Sequence, residues 1–559
     1  MVKSFQMLER ATTTDAPAES RRRPHAAVFV VVLLACMYVG SRGVHYVSAE
    51  MPRGDSGVFT AVGWHMLQGD VLYRDAWDHK PPMIAFLNAA ALWAGGTSLD
   101  SVRQMERFFG GVAAGLAFFV AWLMFRRVWL AGLASLILVI LLYHPLIFQG
   151  GNFTEEYAVV FALAGVAAAV ASRQGGVRRS CLLAVLSGAA FGCAVLCKEP
   201  FLLTALPWVV WLAWPTKTDR RRPLRCLPWM AFGAAIPVAA FVAYFFATGA
   251  LGDWLDVIAF NFIYTGNDPG KKPLFKRLIM NFLVVAERFT LINWLVLSAA
   301  VFGAAGAACR EFRRRTNGLV VVVLADLVVS FLATSISGRD YGHYYLQLVP
   351  AMSLLAVFGV MFAVYCVGTI STRRGRVAAA VSLALFFGVP TVLCESVAVF
   401  GPGSLFGGPQ RLAYVNHQFG HVASRLARPM AQWEGDELTR RVHARAAGRS
   451  VWASDVHITY VYLQAGVRSP TPRVYINEFL FVDTPASTAS QKYQRIIDDL
   501  NAAPPTLILL REEWRTILAD YGMDDVLRSN YDLADHVKID RGWMKDPVVE
   551  IWQLRTATP

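Results

Sequence analysis

Residues 52–107 read PRGDSGVFTAVGWHMLQGDVLYRDAWDHKPPMIAFLNAAALWAGGTSLDSVRQMER. The stretch lies between two apolar spans, yet it carries Asp55, Asp70, Asp75, Asp78, His79, Lys80, Arg103, Glu106 and Arg107. A bilayer interior cannot hold that many ionisable groups, so the segment is a loop outside the hydrocarbon. At about 55 residues it far exceeds the roughly 4–6 of an ordinary connection. Trp64, Tyr73, Trp77, Phe86 and Trp93 give it the aromatic content of a segment folded at a membrane surface. Chemistry is expected here before anywhere else in the chain.

The composition around it explains why. The 559 residues are 55% hydrophobic and only 17% charged, with a mean hydropathy of +0.41. A soluble domain carries about 25% charged residues, so the chain reads as a polytopic membrane protein. The net charge of +13 comes from Lys and Arg at the ends of apolar runs, which topology explains; no nucleic-acid partner is implied. The eight cysteines lie in or beside apolar spans, without the spacing of a metal site or a disulfide framework.

Outward from the loop, residues 1–25 are a polar tail ending near Arg21-Arg22-Arg23. No small-residue cleavage site follows, so the first span, about 26–48, reads as an uncleaved anchor with a cytoplasmic start. The loop at 49–107 is then extracytoplasmic. Further spans are expected near 108–125, 128–147, 157–171, 181–197, 201–214, 227–247, 291–308, 318–335, 346–367 and 377–399, about eleven in all by the positive-inside pattern. A second long outer loop is expected at 248–290; its Lys271, Lys272, Lys276 and Arg277 break the charge pattern. The transmembrane domain thus covers 26–400. Beyond the linker GPGSLFGGP, residues 401–559 are polar enough for a small extracytoplasmic α/β domain. Within it SVWASDVHITYVYLQAG and PPTLILLREEW predict strands feeding helices, and QKYQRIIDDLNAAPP predicts a helix stopped by prolines.

On this topology the charges without a positive-inside explanation share the outer side: Asp55, Asp78, His79, Lys80, Arg103, Arg107, Glu155, Glu156, Lys198, Glu199, Arg339, Asp340 and His343. Cations at a membrane surface can clamp a lipid-linked phosphate, Arg as a planar fork and Lys as a point charge. A nearby carboxylate can take a proton from a hydroxyl. Pro81-Pro82 fixes the backbone just after Lys80. Each group also has a plain alternative: Lys198-Glu199 as a helix-end pair, Glu155-Glu156 as acids favoured at a helix start, His343 with Tyr344 and Tyr345 as an interfacial aromatic belt. Asn152-Phe153-Thr154 fits a glycosylation sequon.

The run GDSGVF (54–59), then GDVLYRDAWDHKPP (69–82), then Arg107 entering the second span, together with GRDYGHYYLQLVP (338–350), resembles the family 39 type of polytopic glycosyltransferase. That group has the type C fold and includes protein O-mannosyltransferases and aminoarabinose transferases acting on lipid A. The resemblance spans about 26–400. It implies an all-α polytopic membrane domain and transfer of a monosaccharide from a polyprenyl-phosphate donor to an acceptor hydroxyl on a lipid, glycan or protein. It further implies Asp55 as general base, Glu155 or Glu156 as a second acid, and Lys80, Arg107, Lys198 and Arg103 around the donor phosphate. Tyr73, Asp78, His79, Arg339, His343, Tyr344 and Tyr345 are the expected substrate-binding residues. Some relatives begin this loop with two adjacent acids, whereas here Asp55 is followed by Ser56. Some bind a divalent metal, which His79 and the acids could hold, but no spacing here is metal-specific. A flippase of lipid-linked sugars, binding the same phosphate without needing a base, is the competing expectation. The place expected for the chain is the inner (plasma) membrane.

Overall fold

The computed structural model describes residues 18–47, 54–148, 150–174, 176–215, 222–266, 273–336, 341–379, 381–382, 437–446, 448–476, 486–539 and 548–555. Helix α1 (Ala18–Val47) leads to the 54–98 segment, which is not an open loop: α2 (Asp55–Leu67) and α3 (Met83–Gly95) fold back on each other around the turn-rich 68–82. Helices α4 (Leu99–Phe125), α5 (Val128–Leu142), the short α6 (Pro145–Phe148), α7 (Thr154–Ser172), α8 (Val177–Cys197) and α9 (Phe201–Ala213) follow. Then come α10 (Arg222–Ala247), α11 (Leu251–Gly266), α12 (Leu274–Ala308), the short α13 (Arg310–Arg315) and α14 (Leu319–Ile336). A 3-10 turn (Gly342–Leu348) runs into α15 (Val349–Thr369).

Among the described residues seven helices are long and apolar enough to cross a membrane, and four shorter apolar helices accompany them. The expected span at 377–399 lies almost wholly outside the described residues. Two expected boundaries move. Helix α4 begins at Leu99 rather than near 108, because Arg103 and Glu106 neutralise each other one turn apart (2.6 Å) and the helix need not end at its charges. The stretch 248–290 is largely helical, α11 and the start of α12; Arg277 there donates to the carbonyl of Ile336 at the end of α14. Lys271 and Lys272 lie outside the described residues.

The helices pack closely where side chains are smallest. Gly303 of α12 meets the carbonyl of Leu355, and Gly359 of α15 meets that of Ala299. A side chain at either position would part the two helices, the small-residue contact that apolar surroundings favour. Large exposed apolar side chains such as Val31, Leu34, Leu202, Leu206 and Val210 line the outer faces of these helices, as they would toward lipid.

The C-terminal part has α16 (Glu437–Ala446), β1 (Val451–Ala453), α17 (Val461–Ala465), α18 (Ala486–Ala502), β2 (Leu507–Arg511), α19 (Glu512–Ala519), α20 (Met523–Asn530), β3 (Tyr531–Lys538) and β4 (Val548–Leu554). The expected strand-to-helix units at 450–466 and 504–514 and the helix before Pro504 are all present. The four strands form one sheet in the order β1-β2-β4-β3, parallel between β1 and β2 and antiparallel otherwise. The linker GPGSLFGGP lies outside the described residues. This α/β part is not a separate body. Val58, Ala61 and Val62 of α2, with Leu72, Tyr73 and Ala76, share one buried core with Leu438, Val451, Tyr462, Tyr475 and Ile551. Burying Val58 and Val62 there contributes about 1.5–3 kcal/mol each, so α2 is held between the membrane helices and the C-terminal sheet.

Candidate active site

Gly54 has φ +56°, a left-handed conformation that glycine adopts without strain. The turn it makes puts Asp55 on the first residue of α2, where the helix N-terminus favours a carboxylate. From the far side of the same segment Lys80 reaches back to it, Nζ to Oδ2 3.1 Å. The side chain of Asp55 keeps 33% of its surface exposed and that of Lys80 11%, so the pair is largely buried with the carboxylate on its more open side. Lys80 is placed by its neighbours. Pro81 restricts its backbone to an extended form, and Tyr73 donates its hydroxyl to the Lys80 carbonyl at 2.8 Å. Burial alone would raise the Asp55 carboxyl, but Lys80, His343 and His79 together hold it well below the usual carboxylate range. Burial, with Lys80 beside it, pushes His79 below its usual value against the pull of Asp78, so its ring is neutral near pH 7.

A second pair faces the first. Glu155, in the opening turn of α7, is 3.0 Å from Nζ of Lys198 at the C-terminal end of α8. Thr154 donates to the other carboxylate oxygen at 2.8 Å. The Lys198 ammonium also sits 4.5 Å from the centre of the Tyr344 ring. Burial would lower Lys198, yet Glu155 and Tyr344 more than offset it, and the amine is raised and fully charged. His343 joins the two pairs. Its ring stacks on Phe153 at 4.0 Å, and Asp55, Lys80, Glu155 and Lys198 all act on it electrostatically. The 198–200 turn is tied down from below. Gln347 donates to the carbonyl of Pro200 (3.2 Å) and to Thr204 (2.6 Å), and Thr204 meets Ser330 (3.1 Å). Ser330 and Trp208 both donate to the buried Asp326.

The structure therefore brings together Asp55, His79, Lys80, Glu155, Lys198, His343 and Tyr344. It groups three other expected site residues elsewhere. Glu156 and Arg103 are buried with Glu106 in a network beneath α2: Arg103 donates to Glu106 (2.6 Å) and to the carbonyl of Gly150 (2.8 Å), and Glu156 accepts from the backbone of Asn152 (3.0 Å). The half-buried Arg107 acts on Glu106. Tyr345 is fully buried in the hydrophobic core. Tyr73 and Asp78 are also buried, and their polar atoms are engaged by the protein itself. Arg339 lies outside the described residues. Among the described residues no group of three or more His, Cys, Asp or Glu is arranged to hold a metal ion.

Sequence reading gave no place in the site to Asn88, Asn152, Glu106 or Asp326. Asn152 is fully buried, which closes the sequon to glycosylation in the folded chain. Its φ of +58° suits Asn better than most residues. It exchanges hydrogen bonds with Asn88 (3.0 and 3.2 Å) and accepts one from Tyr157 (2.9 Å). Asn152→Ala strands the Tyr157 hydroxyl and weakens the pairing of Asn88, which keeps only Ile84 and Thr60, at roughly 1–3 kcal/mol for each buried group affected. We expect about 3 kcal/mol lost in total, read as a drop of several degrees in thermal unfolding of the detergent-solubilised protein.

The chain matches no family model and no curated protein sequence. Its fold does match solved structures. It is similar to ArnT from Cupriavidus metallidurans bound to undecaprenyl phosphate, with a TM-score of 0.57, 14% identity, and coverage of 94% of this chain and 98% of that one. It is similar also to the apo form of the same ArnT, with a TM-score of 0.51, 14% identity, and coverage of 95% and 98%. The architecture is thus the polytopic type C glycosyltransferase fold with its C-terminal sheet domain, as the motifs of the first loop led one to expect.

Proposed function

We propose that the protein is an integral-membrane glycosyltransferase that moves a monosaccharide from a polyprenyl-phosphate donor to an acceptor hydroxyl on the extracytoplasmic side of the inner membrane. The observation that carries the reading is the pairing of Asp55 with Lys80 beside Lys198 with Glu155, all acting on one histidine. The fold shared with ArnT, itself solved with undecaprenyl phosphate, supports the choice of donor. A buried cation is tolerated only with a partner, and each of the two lysines has one. The two carboxylates supply that partner until a phosphate does.

When the donor enters, its phosphate takes over the charge of Lys80 and Lys198. Asp55 is released from its ion pair and becomes basic enough to act. It accepts the proton of the acceptor hydroxyl while that oxygen attacks the anomeric carbon. The bond from that carbon to the phosphate oxygen breaks, and its electron pair leaves with the polyprenyl phosphate. One such displacement inverts the anomeric configuration. The lysines stabilise charge growing on the leaving phosphate, where preorganised groups contribute most. Glu155 remains to orient Lys198. The acceptor is a lipid, glycan or protein hydroxyl. Purified protein in nanodiscs, given a panel of polyprenyl-phosphate sugars, should release free polyprenyl phosphate with at least one; release with none across acceptor classes would remove the reading.

The same exchange of partners predicts a pH signature. Asp55 must be ionised to act, so activity falls as pH drops through its pKa. In the free protein that pKa is depressed, so the acid limb of kcat/KM lies below the ordinary aspartate value of about 3.9. With donor bound, Lys80 is shared with the phosphate and a second negative charge is near, which raises the pKa. The acid limb of kcat, which reports the complex, should therefore lie at higher pH than that of kcat/KM. Coincident limbs in a pH–rate profile would contradict the exchange.

A further inference from the structure

We infer that Tyr475, on the C-terminal domain, is a positioning residue for Lys80, so that this domain forms part of the site. The inference rests on the role proposed for Lys80 but is argued from contacts of its own. Residues 77–80 are gripped one by one. The backbone N–H of Trp77 donates to the carbonyl of Pro472 at 2.9 Å. The Tyr475 hydroxyl donates to Oδ1 of Asp78 at 3.0 Å. That same oxygen accepts the backbone N–H of His79 at 2.8 Å, and Nδ1 of His79 lies 3.4 Å from it. Asn261 donates to the carbonyl of His79 at 2.8 Å, and Tyr73 to that of Lys80. Two of these grips come from the C-terminal domain and two from the membrane-side helices and loop.

Asp78 and Tyr475 are both buried, 4% exposed each. A carboxylate so placed needs donors, and Tyr475 brings one from nearly four hundred residues away in sequence. An apolar contact would dock the domain equally well. A hydroxyl aimed at the residue two before Lys80 does more, because it fixes the height from which that flexible side chain starts. The Asp55 side of the pair is touched as well. His457 lies over Gly54, close enough that a Cβ built there would be 3.6 Å from its ring. The C-terminal domain thus abuts both residues that lead into the Asp55–Lys80 pair.

Tyr475→Phe removes one oxygen and keeps the packing. In full-length protein in nanodiscs, hydrogen exchange at the amides of 77–80 should quicken, while β1 and β2 keep their protection. Binding of undecaprenyl phosphate should weaken about tenfold, the lower end of what is lost when a group that orients a ligating side chain is removed. Lys80→Met should weaken it too, and the double variant should bind no more weakly than Lys80→Met alone, because Tyr475 acts through Lys80. Unchanged exchange at 77–80, or losses that multiply in the double variant, would overturn the inference. Wild-type protein that binds no polyprenyl phosphate would instead overturn the role given to Lys80, while the exchange at 77–80 still decides for or against the clamp.

Discussion

Asp55→Asn should lower kcat by about 10²–10⁴-fold, the range a positioned general base supplies, while leaving undecaprenyl phosphate bound as tightly as before or more so. The two halves of this expectation have one physical source. Asp55 is the counter-ion of Lys80, 3.1 Å away. The amide is nearly isosteric with the carboxylate, so α2 keeps its start after Gly54. It cannot accept the acceptor's proton, and it no longer competes with phosphate for the ammonium. A variant that had merely collapsed the site would lose binding along with transfer, so the two readouts separate chemistry from folding. Transfer surviving within tenfold would remove Asp55 as base. If sugar-phosphate crossed the membrane at the wild-type rate in this variant, the competing flippase reading would be preferred.

The fold and the site were legible in the sequence to different depths, for reasons particular to each residue. The membrane architecture was readable because apolar runs and arginine-rich turns follow from solvation alone. Lys80 and Asp55 could be singled out as charges with no topological reason to exist. Which of Glu155 and Glu156 faces Lys198 could not, since adjacent helix residues point about 100° apart and only packing chooses between them. Arg103 and Glu106 stand three apart, a spacing that marks a helical ion pair, and that signal was available. So was Asp326, an acid inside the apolar run VVVVLADLVVSF, which ought to draw notice. Asn88 and Asn152 give no local sign of meeting. The strands near 451 and 507 were readable from their pattern, but nothing in the sequence says that the domain they build leans on Asp78.

Lys80→Met should reduce kcat/KM by about 10²–10³-fold, the effect of removing one preorganised donor from a developing oxyanion. It also makes a prediction about Asp55 that a purely structural lysine would not. Without the ammonium, the strongest force holding that carboxyl below its usual range is gone, and burial, which opposes ionisation, is countered only by His343 and His79. The acid limb of the residual kcat/KM should then move to higher pH, towards or above the ordinary carboxylate value. Lys198→Met should share the rate loss but spare the acid limb, because Lys198 is paired with Glu155 rather than Asp55. The two substitutions combined should fall short of the product of their separate effects, since two cations that clamp one phosphate act as a unit and the second loss finds the clamp already broken. Effects that multiply fully would place the lysines on different substrate groups, and an acid limb that stays put in Lys80→Met would mean that Asp55 is not the group whose ionisation limits the reaction.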